Sequence, residues 1–338
     1  MPYLIRNLKY WSDVYVSIIV LDGSNSSNEI IIKELFPNVE YYHLPISMEQ
    51  RIFFVGQKLK TSYVMISADD DFMLKSGVSS CIKFLDLNHD YVAAFGTAAT
   101  IESLENKIYL RKSYDNLIRV GQITHNSPWK RFRYHFKNNN FETSILYSIQ
   151  RVSNFRNAAL TFQGMKKLDG NMFELLLESA VSYSGKTKVI DELTWIRTKD
   201  AEPNWTTLNV VGEWTIKFAN SDRKQFIRLL DIHVLSKFSN LPSVIRISLY
   251  KLILIDKHLF DLTKIRSNFK WMFYPLLFIY INFNLRQLKI LKQIKPRISV
   301  KILSLIKPVN FNNHNFDSFS LNTQQATEIS KIFELINN

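Results

Sequence analysis

The chain has 338 residues, 46 % of them hydrophobic, with nine glycines, nine prolines and one cysteine, Cys81. That is enough apolar matter for one large or two smaller folded domains, and it excludes a low-complexity chain, an internal disulfide framework and a cysteine-rich zinc site. The net charge of +13 is unevenly placed: 24 basic residues stand against 22 acidic ones up to residue 210, and 19 against 8 beyond it.

Met1 to Val20 carries charges and has no unbroken apolar run, so no signal peptide is expected. No segment reaches the roughly 18–20 apolar residues of a membrane span. "VYVSIIVLDGS" is rich in β-branched residues and ends in a turn, Asp22-Gly23-Ser24, which predicts a strand. "NSSNEIIIKELF" predicts a helix and "VEYYHL" a short strand. "SMEQRIFFVGQKLK" predicts a second helix, with Ser47 as cap and Gln50 at capping-box spacing. "SYVMISADDD" reads as a strand, "GVSSCIKFLDLN" as a helix and "YVAAFGTAA" as a strand. Such alternation predicts an α/β fold whose mostly parallel sheet is covered by helices. Ligands of these sheets bind beyond the carboxyl ends of the strands. Both acidic turns, at Asp22 and at Asp69–Asp71, fall at such ends.

The stretch "YLRKSYDNLIRVGQITHNSPWKRFRYHFKNNNF" is polar, basic and aromatic, and reads as a variable excursion. Order returns with "MFELLLESAVSYSGKTKVIDELTWIR": a helix from about Met172, a stop at Gly185 and a strand into Arg197. Beyond about residue 210 the pattern is helical with basic faces. The expected organisation is an α/β domain over 1–210 and a basic, mainly helical region over 211–338.

Asp69 and Asp71 are two residues apart, so in extended backbone they point the same way, roughly 7 Å apart. Adjacent carboxylates repel, and partial burial worsens this. The spacing suits Mn²⁺ or Mg²⁺, held by one or two carboxylates with phosphate oxygens and water completing the shell. The alternative is a solvated acidic turn or helix N-terminus, where aspartate is favoured anyway.

"LDGS", "SYVMISADDDF", "YVAAFG" and "MFELLLESAVSYSGKTKVIDELTWIR" together resemble bacterial family-2-type GT-A glycosyltransferases, in particular a subfamily whose metal motif reads DDDF. The resemblance covers about residues 3–200. It implies a nucleotide-sugar donor bound across the carboxyl edge of the sheet, its diphosphate gripped by a divalent metal. Asp22 would contact the base or ribose, Asp69 the ribose and metal, and Asp71 the metal, with Asp70 secondary at the donor site. Glu174, eleven residues before Gly185, would be the general base on the acceptor hydroxyl, with Asp169 and Glu178 as nearby competitors. Lys186 and Arg197 would be phosphate partners of the donor. In one respect the chain departs from the family, whose members begin with a strand and a base-wrapping turn. "MPYLIRNLKYW" looks like the helix that follows that strand. The acceptor implied is a glycan or a lipid-linked sugar of bacterial surface polysaccharide synthesis.

A second enzyme class, the haloacid-dehalogenase-like phosphatases, also uses Asp-x-Asp after a parallel strand, but Phe72-Met73 fits its Gly-Thr-type turn poorly. No P-loop and no H-E-x-x-H motif occurs, and the seven histidines show no ligand spacing. Beyond residue 210, "WMFYPLLFIYINF" (Trp271–Phe283) is too short to span a membrane and is flanked by basic residues. No acid lies between Asp261 and Asp317, against ten lysines and arginines. In "RISVKILSLIK", Ile298, Ile302, Leu305 and Ile306 share one helical side and Arg297, Lys301 and Ser304 the other. Residues 264–307 therefore fit an anionic membrane surface, through which a catalytically impaired relative would act as an interaction protein; "LRQLKILKQIK" mixes its apolar and basic positions, and the alternative is a buried helix flanked by solvated ones. Nucleic acid is not expected, since no recognition motif accompanies the charge. The expected location is cytoplasmic, peripheral on the inner face of the plasma membrane.

Overall fold

The computed structural model describes residues 1–104, 107–113, 121–138, 145–163, 170–198 and 321–337. They form a mixed α/β fold with a central sheet and a C-terminal helix. Chain order is α1 (Pro2–Trp11), β1 (Ile19–Asp22), α2 (Glu29–Leu35), β2 (Glu40–His43), α3 (Met48–Lys58), β3 (Tyr63–Val64), β4 (Phe72–Met73), α4 (Lys75–Leu87), β5 (Tyr91–Leu104) and β6 (Lys107–Ser113). Then come α5 (Pro128–Asn138), β7 (Ile149–Arg151), α6 (Val152–Ala159), α7 (Gly170–Ser184), β8 (Lys186–Arg197) and α8 (Thr323–Asn337).

The main sheet runs β3-β7-β5-β8-β4, with β6 paired to β5. It is mixed, not mostly parallel: within it only β5 and β8 are parallel, while β3–β7, β7–β5, β4–β8 and β5–β6 are antiparallel. The reason lies in the stretch expected to be an irregular excursion. It holds most of β6 and all of α5 and is followed by β7, which enters between β3 and β5 against their direction. β1 and β2 form a separate parallel pair, Ile19 opposite Glu40 through Asp22 opposite His43. Although not hydrogen-bonded into the main sheet, this pair shares its cover: Ile19 and Leu21 pack on the same core cluster as Val64 and Ile66.

Alternation along the strands feeds two main cores. Ile52, Val55, Phe155, Leu176, Leu177 and Val181, from α3, α6 and α7, fill one. On the other side Tyr10, Phe72, Met73, Leu74, Phe95, Trp195 and Ile196 meet Ile329 and Ile332 of α8. Burying a side chain of this size contributes about 1.5–3 kcal/mol, so the apolar tail Phe72-Met73-Leu74, essentially inaccessible to solvent, anchors the acidic triplet before it. Residues 321–337, grouped in sequence with the basic C-terminal region, thus pack into the core of residues 1–198. The boundary near 210, and residues 264–307, lie outside the described residues. No described helix is long and apolar enough to cross a membrane.

Candidate functional site

The acidic triplet follows β3, but the strand expected over "SYVMIS" pairs only at Tyr63–Val64. Asp69 is exposed, Asp70 half-buried and Asp71 buried. Helix α1 holds the loop from one side. The Arg6 guanidinium donates to the Asp70 carbonyl at 3.2 Å, and Asn7 Nδ2 donates to the carbonyls of Asp71 at 2.6 Å and Ala68 at 3.2 Å. The end of β8 holds it from the other. Trp195 Nε1 donates to Asp71 Oδ2 at 2.9 Å, the Thr198 amide donates to Asp71 Oδ1 at 3.1 Å, and Thr198 Oγ1 donates to the Asp70 carbonyl at 2.7 Å. The pairing of Phe72 with Ile196 and of Met73 with Trp195 sets this alignment.

Burial, and then the neighbouring Asp70, raise the Asp71 carboxyl to about 6, against the lowering effects of Thr198, Arg197 and Trp195. Burial also raises Glu174 to about 7, opposed by Arg197. Arg197, stacked over the Trp195 ring at 5.4 Å, therefore acts electrostatically on both carboxyls. Asp71 and Arg197 thus lie at the carboxyl end of β8, bonded or stacked on Trp195, and the Arg197 charge also bears on Glu174 of α7. Of the two competitors of Glu174, Glu178 is committed to structure: its Oε1 accepts the amides of Ile145 and Leu146, and its Oε2 lies 3.4 Å from His135 Nε2. Asp169 lies outside the described residues. The described residues contain no group of three or more His, Cys, Asp or Glu side chains that could enclose a metal.

Asp22 ends β1 with a hydrogen-bond set of its own. Its Oδ1 accepts the Ser24 amide at 2.8 Å and Ser24 Oγ at 2.5 Å, and its Oδ2 accepts Asn28 Nδ2 at 3.1 Å and the Tyr41 hydroxyl. Burial works to raise this carboxyl, but the bonds from Ser24, Tyr41 and Asn28 outweigh it and leave it well below its ordinary value. Arg51 Nη1 donates to the Leu21 carbonyl beside it at 3.1 Å. A Cβ at Gly23 would stand 2.1 Å from that nitrogen, so a larger residue there would push the guanidinium aside.

Lys186 is not brought to this end of the sheet. It begins β8, roughly 35 Å of strand from Arg197, and pairs on the surface with Asp90 at 2.6 Å. Trp195, Thr198, Arg6 and Asn7 are neighbours of the acidic loop that sequence reasoning missed. Trp195 and Arg197 lie two apart on β8, and that spacing is the one local signal that links them.

Among solved structures the chain is similar to the crystal structure of S. aureus TarS 1-349, at 13 % identity and a TM-score of 0.48, over 86 % of this chain and 73 % of that one. It is also similar to the crystal structure of S. aureus TarS, at 13 % identity and a TM-score of 0.47, over 76 % of this chain and 40 % of that one. No family model matches the chain, and neither does any curated protein.

Proposed function

We propose that the chain is a metal-dependent glycosyltransferase, moving a sugar from a nucleotide-sugar donor to a glycan or lipid-linked acceptor. The observation that carries this reading is that two carboxyls, Asp71 and Glu174, are raised towards neutrality by burial while the charge of one guanidinium, Arg197, acts on both. Raised carboxyls beside a fixed cation are what a reaction needs when it moves one proton and separates a polyanionic leaving group.

The residues fit Mn²⁺ or Mg²⁺. Asp71 is a buried carboxylate disfavoured by Asp70, and a cation would relieve that repulsion, while exposed Asp69 adds a second oxygen donor. With two carboxylates and no third protein ligand, the remaining positions suit phosphate oxygens and water. When bound, the metal would neutralise charge on the departing diphosphate.

The chain's own residues do the rest. Asp22, held ionised by four donors that fill its acceptor sites, takes a ribose or base hydroxyl or amine by exchanging one of them, the exposed Ser24 hydroxyl being the most accessible. Arg197 steadies diphosphate oxygens as negative charge builds on them. Glu174, ionised, removes the proton of the acceptor hydroxyl. The freed oxygen forms a bond to the anomeric carbon, the bond from that carbon to the diphosphate oxygen breaks, and its electron pair leaves with the nucleoside diphosphate. Lys186 has no part in this.

The test is thermal stability of the full chain against a panel of nucleoside diphosphates and nucleotide sugars, with Mn²⁺ or with chelator, beside Asp71→Ala. The expected result is a metal-dependent rise for one nucleotide that the variant loses. A folded protein that responds to no nucleotide overturns the reading.

A further inference from the structure

Helix α4 starts four residues after Asp71, and its own N-cap, Leu74, offers no side-chain acceptor to the first-turn amides. The acceptor comes instead from the far end of the chain. Glu328, on α8, accepts the Lys75 amide at 2.6 Å through Oε2 and the Ser76 amide at 3.1 Å through Oε1. Oε2 also accepts the Tyr10 hydroxyl at 2.9 Å, which ties α1 to the same carboxylate. Glu328 is only 9 % exposed, so its charge is desolvated and its bonds are strengthened. A carboxylate at a helix N-terminus also meets the positive end of the peptide dipoles.

The seat of Glu328 is built into α8. Asn322 and Gln325 cap that helix reciprocally, Gln325 N donating to Asn322 Oδ1 at 2.8 Å and Asn322 N to Gln325 Oε1 at 3.2 Å. Ile329 and Ile332, one and four residues on, are buried beside Tyr10, Phe72, Met73 and Leu74. At the rim, Asp13 pairs with Lys331 at 3.0 Å and with Lys75. The described chain thus leaves at Thr198, bonded to Asp70 and Asp71, and re-enters on α8, bonded to the residues just beyond them.

We propose that α8 is a C-terminal clasp on the acidic loop, with Glu328 as a positioning residue for the metal-binding carboxylates. α1 and β8 fix residues 68–71, and Glu328 fixes the exit at Lys75–Ser76. The loop is then held at both ends before any ligand arrives, which lowers the ordering cost of binding. Two donors on Oε2 and one on Oε1 require a carboxylate. Glutamine would turn an amide NH₂ towards at least one donor and leave a buried amide or hydroxyl without its acceptor.

The donor-site part of this proposal rests on the reading given above, so the test has two arms. In the first, amide hydrogen exchange is measured without ligand on the full chain, on Glu328→Gln, and on Asp13→Asn, which removes the rim ion pairs but keeps the cap. Residues 70–78 should exchange about tenfold faster in Glu328→Gln than in the parent or in Asp13→Asn, with α3, α6 and α7 unchanged. Equal protection in all three overturns the clasp. In the second arm Mn²⁺ is titrated at fixed nucleoside diphosphate. Glu328→Gln should raise the Mn²⁺ concentration at half-effect about three- to tenfold, with nucleotide affinity at saturating Mn²⁺ within about twofold of the parent. A simple loss of stability would weaken both together, and that outcome, or no change in either, overturns the positioning role. Should the parent itself show no metal-dependent binding, the glycosyltransferase reading fails, and the exchange arm alone decides the clasp.

Discussion

Glu174 is the residue whose chemistry is easiest to separate from its structural role, because burial favours its neutral form while the general-base role proposed for it needs the charged one. Its carboxyl titrates near 7 in the folded chain against an ordinary 4.5. The native state therefore keeps a proton that the unfolded chain releases between those values, so this group's contribution to stability falls as pH rises through that window. Glu174→Gln should leave stability at pH 4 almost unchanged and raise it at pH 8 by about 1–3 kcal/mol, or roughly 2–4 °C per kcal/mol. Thermal melts at the two pH values check this without any assay of activity. In the proposed transfer reaction the same variant should lose about 10²- to 10⁴-fold in rate with nucleotide binding retained, and the parent's rate should fall tenfold per pH unit below about 7. Arg197→Gln removes the charge that opposes the shift, so it should move that limb to higher pH. The acidic triplet was legible in the sequence because its three carboxylates are adjacent. The donors that hold it were not, since Arg6, Asn7, Trp195 and Thr198 reach it from more than 60 positions away and nothing local distinguishes them from other polar or aromatic residues.

At the scale of elements, α4 packs on the sheet through Cys81 and Leu85 and comes closest to β8 at Gly77. A Cβ at Gly77 would lie 2.7 Å from the Leu193 carbonyl oxygen and 2.8 Å from Thr194 Cα, both backbone atoms of β8. Gly77→Ala sets two effects against each other. Alanine is the better helix former by about 1 kcal/mol, but the added methyl must push α4 off β8. The contact with unyielding backbone should win, giving a net loss of about 1–3 kcal/mol and a melting midpoint lower by several degrees. A rise in the midpoint would mean that α4 does not abut β8 there. Most of these elements were readable from period and punctuation: the helices over 29–35, 48–58, 75–87 and 170–184 and the strands ending at Asp22, His43 and Arg197 agree with the apolar patterns that predicted them. Strand direction was not readable, because a strand's own residues do not encode whether its neighbour runs parallel or antiparallel. Helix α5 was missed for a related reason. In "PWKRFRYHFKN" basic residues sit between the aromatic ones, and the stretch resembles an exposed loop until it is seen against α7.

The whole molecule carries its charge at one end of the sequence, and that asymmetry is a physical fact whatever the fold of the region that bears it. Residues 1–210 are nearly balanced, whereas the remainder has 19 basic residues to 8 acidic ones. Between Asp261 and Asp317 every charged side chain is positive, and the aromatic and aliphatic run Trp271–Phe283 lies among them. Cations attract an anionic surface over about one Debye length, roughly 8 Å at physiological salt, and apolar side chains retain what the charges collect. A transferase acting on a lipid-linked acceptor would meet its substrate on such a surface. The full chain should therefore sediment with vesicles containing about a third anionic lipid, bind neutral vesicles weakly, and dissociate as salt approaches about 0.5 M. At about 1 kcal/mol per basic residue near the surface, Lys289→Glu, Lys292→Glu and Lys295→Glu together should weaken binding about 100-fold or more. All three lie outside the described residues, and the melting midpoint, measured alongside, should hold if they act on vesicles alone. Duplex DNA at equal phosphate concentration is the discriminating competitor. A membrane site that combines charge with apolar insertion should keep its vesicles, because DNA offers the phosphates without the hydrocarbon. Full displacement by DNA would show that the basic region is a general polyanion surface, and the acceptor would then have to reach the acidic loop without its help.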